Sequence, residues 1–190
     1  MKNLKKRIWL GVLLFFVISL SILLYFISPS EIVNFIGIEN SYALVFILGI
    51  LGGISILFPF PYYLFVLTFA AGGSNPILLG IFTGLGVIIG ESTSYWIGYN
   101  GTFIFSNKFQ KKLINFSKNL NTLKNTILMS LFLFIYGVFI PIPNDVLILP
   151  LGATKYNYWK LIIPLGLGNI LFNILLAYGG IQGWSFFGIG

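Results

Sequence analysis

The chain has 190 residues, of which 57% are apolar and only 8% charged, with a mean hydropathy of +0.97 and a net charge of +7. A water-facing surface usually carries about 25% charged residues, so a soluble globular domain is excluded and the chain needs lipid around it. Histidine and cysteine are both absent, which removes disulfides, imidazole or thiolate metal sites and the usual neutral-pH proton-transfer residue. The inventory therefore predicts no metal, no cofactor and no enzymatic activity, and the length fits one compact membrane domain.

The basic residues fall into three groups: Lys2–Arg7, then Lys108, Lys111, Lys112, Lys118 and Lys124, then Lys155 and Lys160. A basic balance can signal nucleic acid. Here long apolar runs separate the groups, so they read as topology markers and no nucleic acid is expected.

Residues 8–27 form an apolar run of about 20 residues, enough to cross a hydrocarbon core. A cleavable signal peptide is the competing reading, but its core would be shorter and end in a small-residue cleavage site; Ser28-Pro29-Ser30 follows instead. The run is read as a retained first span. Residues 28–40 hold Glu31 and Glu39 and no basic residue, and read as an outer linker.

Residues 42–71 are apolar but contain Pro59 and Pro61 in LFPFPYY, which remove two backbone donors and break a helix. The second arm, 62–71, covers only about 15 Å at the helical rise. A re-entrant hairpin turning within the membrane fits better than two full crossings, and such backbone is tolerated only inside protein or beside a wet cavity.

Residues 76–100 are the second span. Gly80-x-x-x-Gly84 and Gly86-x-x-x-Gly90 are small-residue patterns that admit close helix packing, within the chain or in a homo-oligomer. Residues 101–125 place Phe109, Leu113, Phe116, Leu120 and Leu123 at helical spacing among the lysines, predicting a cytoplasmic amphipathic helix. Residues 126–153 repeat the hairpin design, with Pro141 and Pro143 in FIPIPNDVLILPLG, and residues 158–180 make a third span. The tail, 181–190, is uncharged.

With the N-terminus inside, every basic segment falls on the cytoplasmic side if both hairpins return to the face they entered from, which leaves the C-terminus outside. The predicted fold is an all-α integral membrane protein of the plasma membrane. It has three transmembrane helices, two proline-broken re-entrant hairpins and a cytoplasmic amphipathic helix. The organisation is 1–41 first helix and outer linker, 42–100 first repeat, 101–125 linker, 126–180 second repeat and 181–190 tail.

The repeats carry one pattern. FPFPYYLFVLTFAAGG and a span with Gly90-Glu91 match IPIPNDVLILPLGA and a span with Gly168-Asn169. Entered from opposite faces, they form an inverted-topology repeat, an arrangement typical of secondary transporters. The alternative is that two apolar hairpins are alike in composition.

Phe58-Pro59-Phe60-Pro61, Ala71-Gly72, Gly86, Gly90-Glu91, Tyr95, Gly98 and Gly101, followed by Pro141-Ile142-Pro143, Asp145 and Gly152, resemble the DedA family. This is also called the VTT or SNARE-associated membrane protein superfamily. The resemblance covers about residues 42–180, and the Gly-(Asp/Glu)-x-x-x-Tyr-x-x-Gly stretch from Gly90 to Gly98 is its most specific part. It implies lipid movement between leaflets, of phospholipid or polyprenyl phosphate, with proton coupling in some members. The chain departs from the bacterial pattern in having Tyr62 and Tyr63 where an acid is expected, and no arginine in the second hairpin. Substrate and coupling stay open on that account.

Glu91 lies well inside its span, where a carboxylate costs at least about 2.5–3.5 kcal/mol and has to face a bundle interior or wet cavity. It reads as a proton-binding or pathway group, or as a hydrogen-bonding partner of Ser92, Thr93 or Ser94. Asp145 follows Pro143 closely, where Asn144 or Asp145 would cap a half-helix, without excluding a pathway role. Half-helix starts at Pro59/Pro61 and Pro141/Pro143 attract anions or simply shape the hairpins. Asn169 and Asn173, one turn apart, line the same pathway or glue helices together. Lys108, Lys111, Lys112, Lys155 and Lys160 mark the headgroup interface, either binding anionic lipid or setting topology.

A lipid flippase or scramblase is therefore the first expectation, with membrane lipids as partners. A small-ion or solute transporter or channel on the same hairpins is the second. An intramembrane enzyme on a Glu91/Asp145 carboxylate pair is the third, disfavoured by the absence of histidine, cysteine and a buried Arg or Lys for substrate phosphate. An assembly protein without transport activity is the fourth.

Overall fold

The computed structural model of the chain describes residues 11, 15, 18, 19, 22, 26–54, 60–100, 126–140 and 143–186, with backbone only at 126 and 184–186. Every regular element among them is helical. These are α1 Pro29–Ile36, α2 Ile38–Gly53, α3 Tyr62–Ala71, α4 Pro76–Asn100, α5 Thr126–Phe139, α6 Asp145–Ala153 and α7 Tyr158–Phe186. Most of the first span, the whole of the basic segment 101–125, and both Pro59 and Pro141 lie outside the described residues.

Two elements are long and apolar enough to cross a membrane, Pro76–Asn100 and Tyr158–Gly183. The bent pair α1–α2 qualifies as a third when taken together, across a 95° break. Exposed side chains on α7 include Ile163, Leu167, Leu171 and Leu175, four residues apart and so on one face. The opposite side of that helix buries Asn169 and Asn173. Apolar outside and polar inside is the pattern of a helix solvated by lipid, and the chain is an integral membrane protein.

The expected outer linker is instead helical. Ser28 caps α1 in a reciprocal box: its hydroxyl accepts from the Glu31 amide at 3.3 Å, and the Glu31 carboxylate accepts from the Ser28 amide at 2.8 Å. Pro29 supplies the preset φ of the first helical position. Gly37, at φ +90°, then turns the chain into α2. The last helix also outruns its expected end at Gly180, continuing to Phe186.

Contacts fall into matching pairs. α2 packs on α4 as α5 packs on α7; α4 packs on α6 as α7 packs on α3; and α4 packs on α7. Glycines set the spacing. A side chain on Gly86 or Gly90 would strike the carbonyls of Phe46 or Ile50 on α2, while Gly168 sits against Gly137 and the Phe134 carbonyl on α5. Gly80 and Gly84 face Ile174 and Ile170 of α7. Backbone-to-backbone approach of this kind lets dispersion forces and polar contacts join helices where lipid supplies no hydrophobic drive.

The turns after the short helices also match. After α3, the Gly73 amide donates to the Ala70 carbonyl and the Ser74 amide to that of Phe69; after α6, Lys155 donates to Gly152 and Tyr156 to Leu151. Each turn ends on an asparagine that caps the following long helix, Asn75 accepting from Leu78 at 3.2 Å and Asn157 from Lys160 at 3.1 Å. The Tyr95 hydroxyl donates to the Tyr156 carbonyl at 2.6 Å, so the second turn lies near the C-terminal end of α4 while the first begins that helix.

Candidate functional site

Asp145, Asn169 and Asn173 gather with Glu91 in the bundle interior, while a separate buried pair, Ser41 and Ser74, bond to each other at 2.9 Å. The helix of Glu91, α4, is held on three sides by α2, α6 and α7, so a side chain pointing inward at its middle is enclosed. Glu91 is 2% exposed, Asn169 and Asp145 each 5% and Asn173 fully buried. The Asn169 amide nitrogen donates to both carboxylate oxygens of Glu91, at 2.9 Å each. Asn144 donates to the same carboxylate and, at 2.9 Å, to the Asn169 side-chain oxygen. Asn173 donates to the Asn169 carbonyl at 2.8 Å, one turn along α7.

A buried carboxyl group must be hydrogen-bonded, and here amides provide the donors. Asp145, at the first position of α6, is near enough to interact electrostatically with Glu91. Tyr136 of α5 lies within reach of both acids. From the other hairpin, Tyr62 at the start of α3 meets Asn173 and lies within electrostatic range of Glu91. Residues from α3, α4, α5, α6 and α7 thus surround one point.

The structure brings together Glu91, Asp145, Asn169 and Asn173, four residues singled out in the sequence. Of the suggested neighbours of Glu91, Ser92 and Thr93 are engaged elsewhere, and the buried Ser94 hydroxyl makes no hydrogen bond among the described residues. Ser92 bonds to the Ile88 carbonyl at 2.6 Å and to the Tyr158 hydroxyl at 2.7 Å, and Thr93 to the Gly90 carbonyl at 2.6 Å. Asn144 occupies the N-cap position of α6, yet its side chain makes no cap hydrogen bond. It sits in helical φ/ψ and reaches across to α4 and α7 instead. Pro61 immediately precedes α3, which also lacks a side-chain cap. Pro143 precedes Asn144. Lys108, Lys111 and Lys112 lie outside the described residues, as do Pro59 and Pro141.

Lys155 and Lys160 are exposed. They accompany an aromatic group near the C-terminal end of α4. The Tyr158 ring lies 5.2 Å from that of Tyr95 and 6.1 Å from that of Trp96, and Trp96 lies 5.5 Å from Tyr99.

Against known proteins, a family model described as the VTT domain matches residues 58–182, more than half of the chain. The chain belongs to the VTT (DedA, SNARE-associated) family. No curated protein and no solved structure matches it. The VTT match takes in α3 to α6 and nearly all of α7, so the Glu91 cluster lies within the domain. Besides Tyr136, sequence reading missed two contributors to this VTT site, Asn144 as a donor and Tyr62 as a partner of Asn173. The available signal for these two was their matching position, each directly after the second proline of its Pro-x-Pro pair.

Proposed function

We propose that this protein moves lipids with phosphate-bearing headgroups, phospholipid or polyprenyl phosphate, between leaflets as a flippase or scramblase, without catalysing covalent chemistry. The observation that carries the reading is the polar cluster around Glu91, set in an apolar bundle where both uncapped short helices begin. In this reading α2–α3 and α5–α6 are re-entrant hairpins of two inverted halves, and the matched contacts and turns support that relationship. Both helix starts bring the positive end of a helix dipole to the cluster, which suits an anionic headgroup. Glu91, Asp145, Asn169 and Asn173 line the route, and Glu91 is its proton-binding candidate. Lys155 and Lys160 would face the cytoplasm of a plasma-membrane protein with its N-terminus inside and its C-terminus outside. A homo-oligomer contact through glycine would use Gly179 and Gly183 of α7, where an added Cβ would meet no atom of another element within 4 Å among the described residues, since Gly80, Gly84, Gly86 and Gly90 pack within the chain.

The test is leaflet exchange in reconstituted liposomes carrying labelled phosphatidylglycerol, phosphatidylethanolamine or polyprenyl phosphate. Exchange that depends on Glu91 supports the reading; none with any of the lipids removes it. One observation favours a small-ion or solute transporter instead: the cluster is buried, so a lipid headgroup reaches it only if α6 parts from α4. Solute flux without lipid exchange in the same liposomes would select that alternative.

A further inference from the structure

The two halves share a turn but not its charge. At the third residue beyond Ala71 and Ala153 respectively the chains read Ser74 and Tyr156, and in each case the residue before it takes positive φ: Gly73 at +98° and Lys155 at +56°. Lys155 is the one non-glycine residue at positive φ among the described residues. The left-handed conformation suits glycine, and a side chain there carries a steric cost. A lysine serving merely as a topology marker would sit as well at an unstrained neighbouring position. At this position its ammonium lies 5.3 Å from the centre of the Tyr99 ring. The counterpart of Lys160 in the first half, three residues after the capping asparagine, is the uncharged Leu78. The strained lysine, the second lysine and the rings therefore belong to one end of the molecule and have no charged equivalent at the other.

We propose that Lys155 and Lys160, with Trp96, Tyr99, Tyr158 and Trp159, form a docking surface for the headgroup of an anionic phospholipid in the leaflet that this end faces. Trp96 and Trp159 are 51% and 65% exposed, which is wasteful in water but suits the headgroup–acyl boundary, where amphipathic rings lie beside lipid. The two ammonium groups favour a headgroup of net negative charge, whose single phosphate-diester charge is not offset by a choline or ethanolamine cation, and rings beside them support the glycerol and upper acyl region. The Tyr99 ring face steadies the Lys155 ammonium, which still has N–H donors to offer a phosphate oxygen. The proposal takes the membrane setting as given but does not depend on leaflet exchange: a protein that moves no lipid can still bind one here.

The test is native mass spectrometry of the full chain released from detergent micelles, titrated with phosphatidylglycerol or with phosphatidylcholine of the same acyl chains. Each lysine is expected to contribute about a five-fold preference for phosphatidylglycerol. Lys155→Gly restores the residue favoured by the turn, so it should melt no lower than the wild type while losing about five-fold in phosphatidylglycerol affinity and nothing for phosphatidylcholine. Lys160→Gln should lose a similar share, and Lys155→Arg should retain the preference. Three results would each overturn the proposal: equal binding of the two lipids by the wild type, unchanged preference in both Lys155→Gly and Lys160→Gln, or displacement of the lipid by millimolar inorganic phosphate.

Discussion

Glu91 and Asn169 hold corresponding places on the two long helices, each directly after a glycine that packs against its own half. Gly90 meets Gly53, Gly168 meets Gly137, and one amide nitrogen of Asn169 serves both oxygens of Glu91 at 2.9 Å. The acid of α4 is thereby bonded to the amide of α7.

Glu91→Gln keeps the shape but offers a single acceptor oxygen, and its NH2 group opposes the donors of Asn144 or Asn169. Stability should fall by about 1–3 kcal/mol, read from thermal unfolding in detergent. If the cluster is the lipid route, leaflet exchange should fall about tenfold or more, a barrier increase of about 1.4 kcal/mol or greater. Exchange at the wild-type rate would show that lipid bypasses Glu91.

Asn144→Asp separates two roles that the sequence left joined. Aspartate caps helices about as well as asparagine, so a capping role predicts little change. The observed role is donation to Glu91, which an ionised carboxylate cannot perform, and the two acids would then repel. A loss of about 2–4 kcal/mol is expected in the same melting assay. Unchanged stability would contradict the bonding described.

Gly90→Ala should destabilise the α2–α4 contact, because its Cβ would lie 2.7 Å from the Cα of Gly53 and closer still to the Ile50 carbonyl. Backbone cannot give way as a flexible side chain does, so about 1–3 kcal/mol or more should be lost. Gly179→Ala is the control, since among the described residues its added methyl would meet no atom of another element within 4 Å, and it should be neutral or stabilising by up to about 1 kcal/mol. Equal melting temperatures for the two variants would remove the packing argument.

The inverted arrangement we propose predicts that the two matching turns emerge on opposite faces of the membrane. The chain has no cysteine, so single substitutions report cleanly. Asn75→Cys and Asn157→Cys should react with a membrane-impermeant maleimide from opposite sides of sealed vesicles. Labelling of both from one side would exclude the arrangement.

Much of this was legible in the chain itself. Helices α3 and α4 run from Tyr62 to Ala71 and from Pro76 to Asn100, where Pro61 and Pro76 and the intervening Gly72-Gly73-Ser74-Asn75 already punctuate the sequence. Glu91 stood out because a carboxylate in an apolar span is costly wherever it points. Helix α1 was legible too, in the Ser-Pro-Ser-Glu capping box, but the two acids beside it read as a solvent-facing loop. Asn144 was misjudged for a physical reason: a residue at a helix start can turn its amide to its own backbone or outward, and local sequence favours the first.

Composition and punctuation determined that the chain is helical, lives in lipid and carries one acid at the heart of a span, since those features follow from transfer energies and backbone donors that do not depend on neighbours. Tertiary structure decided which groups satisfy that acid. Asn144 and Asn169 come from helices 53 and 78 residues further along, and only packing across the two halves brings their donors within hydrogen-bond range. Hydrogen bonds are short-ranged and directional, so the partner of a buried charge is fixed by where the backbones cross.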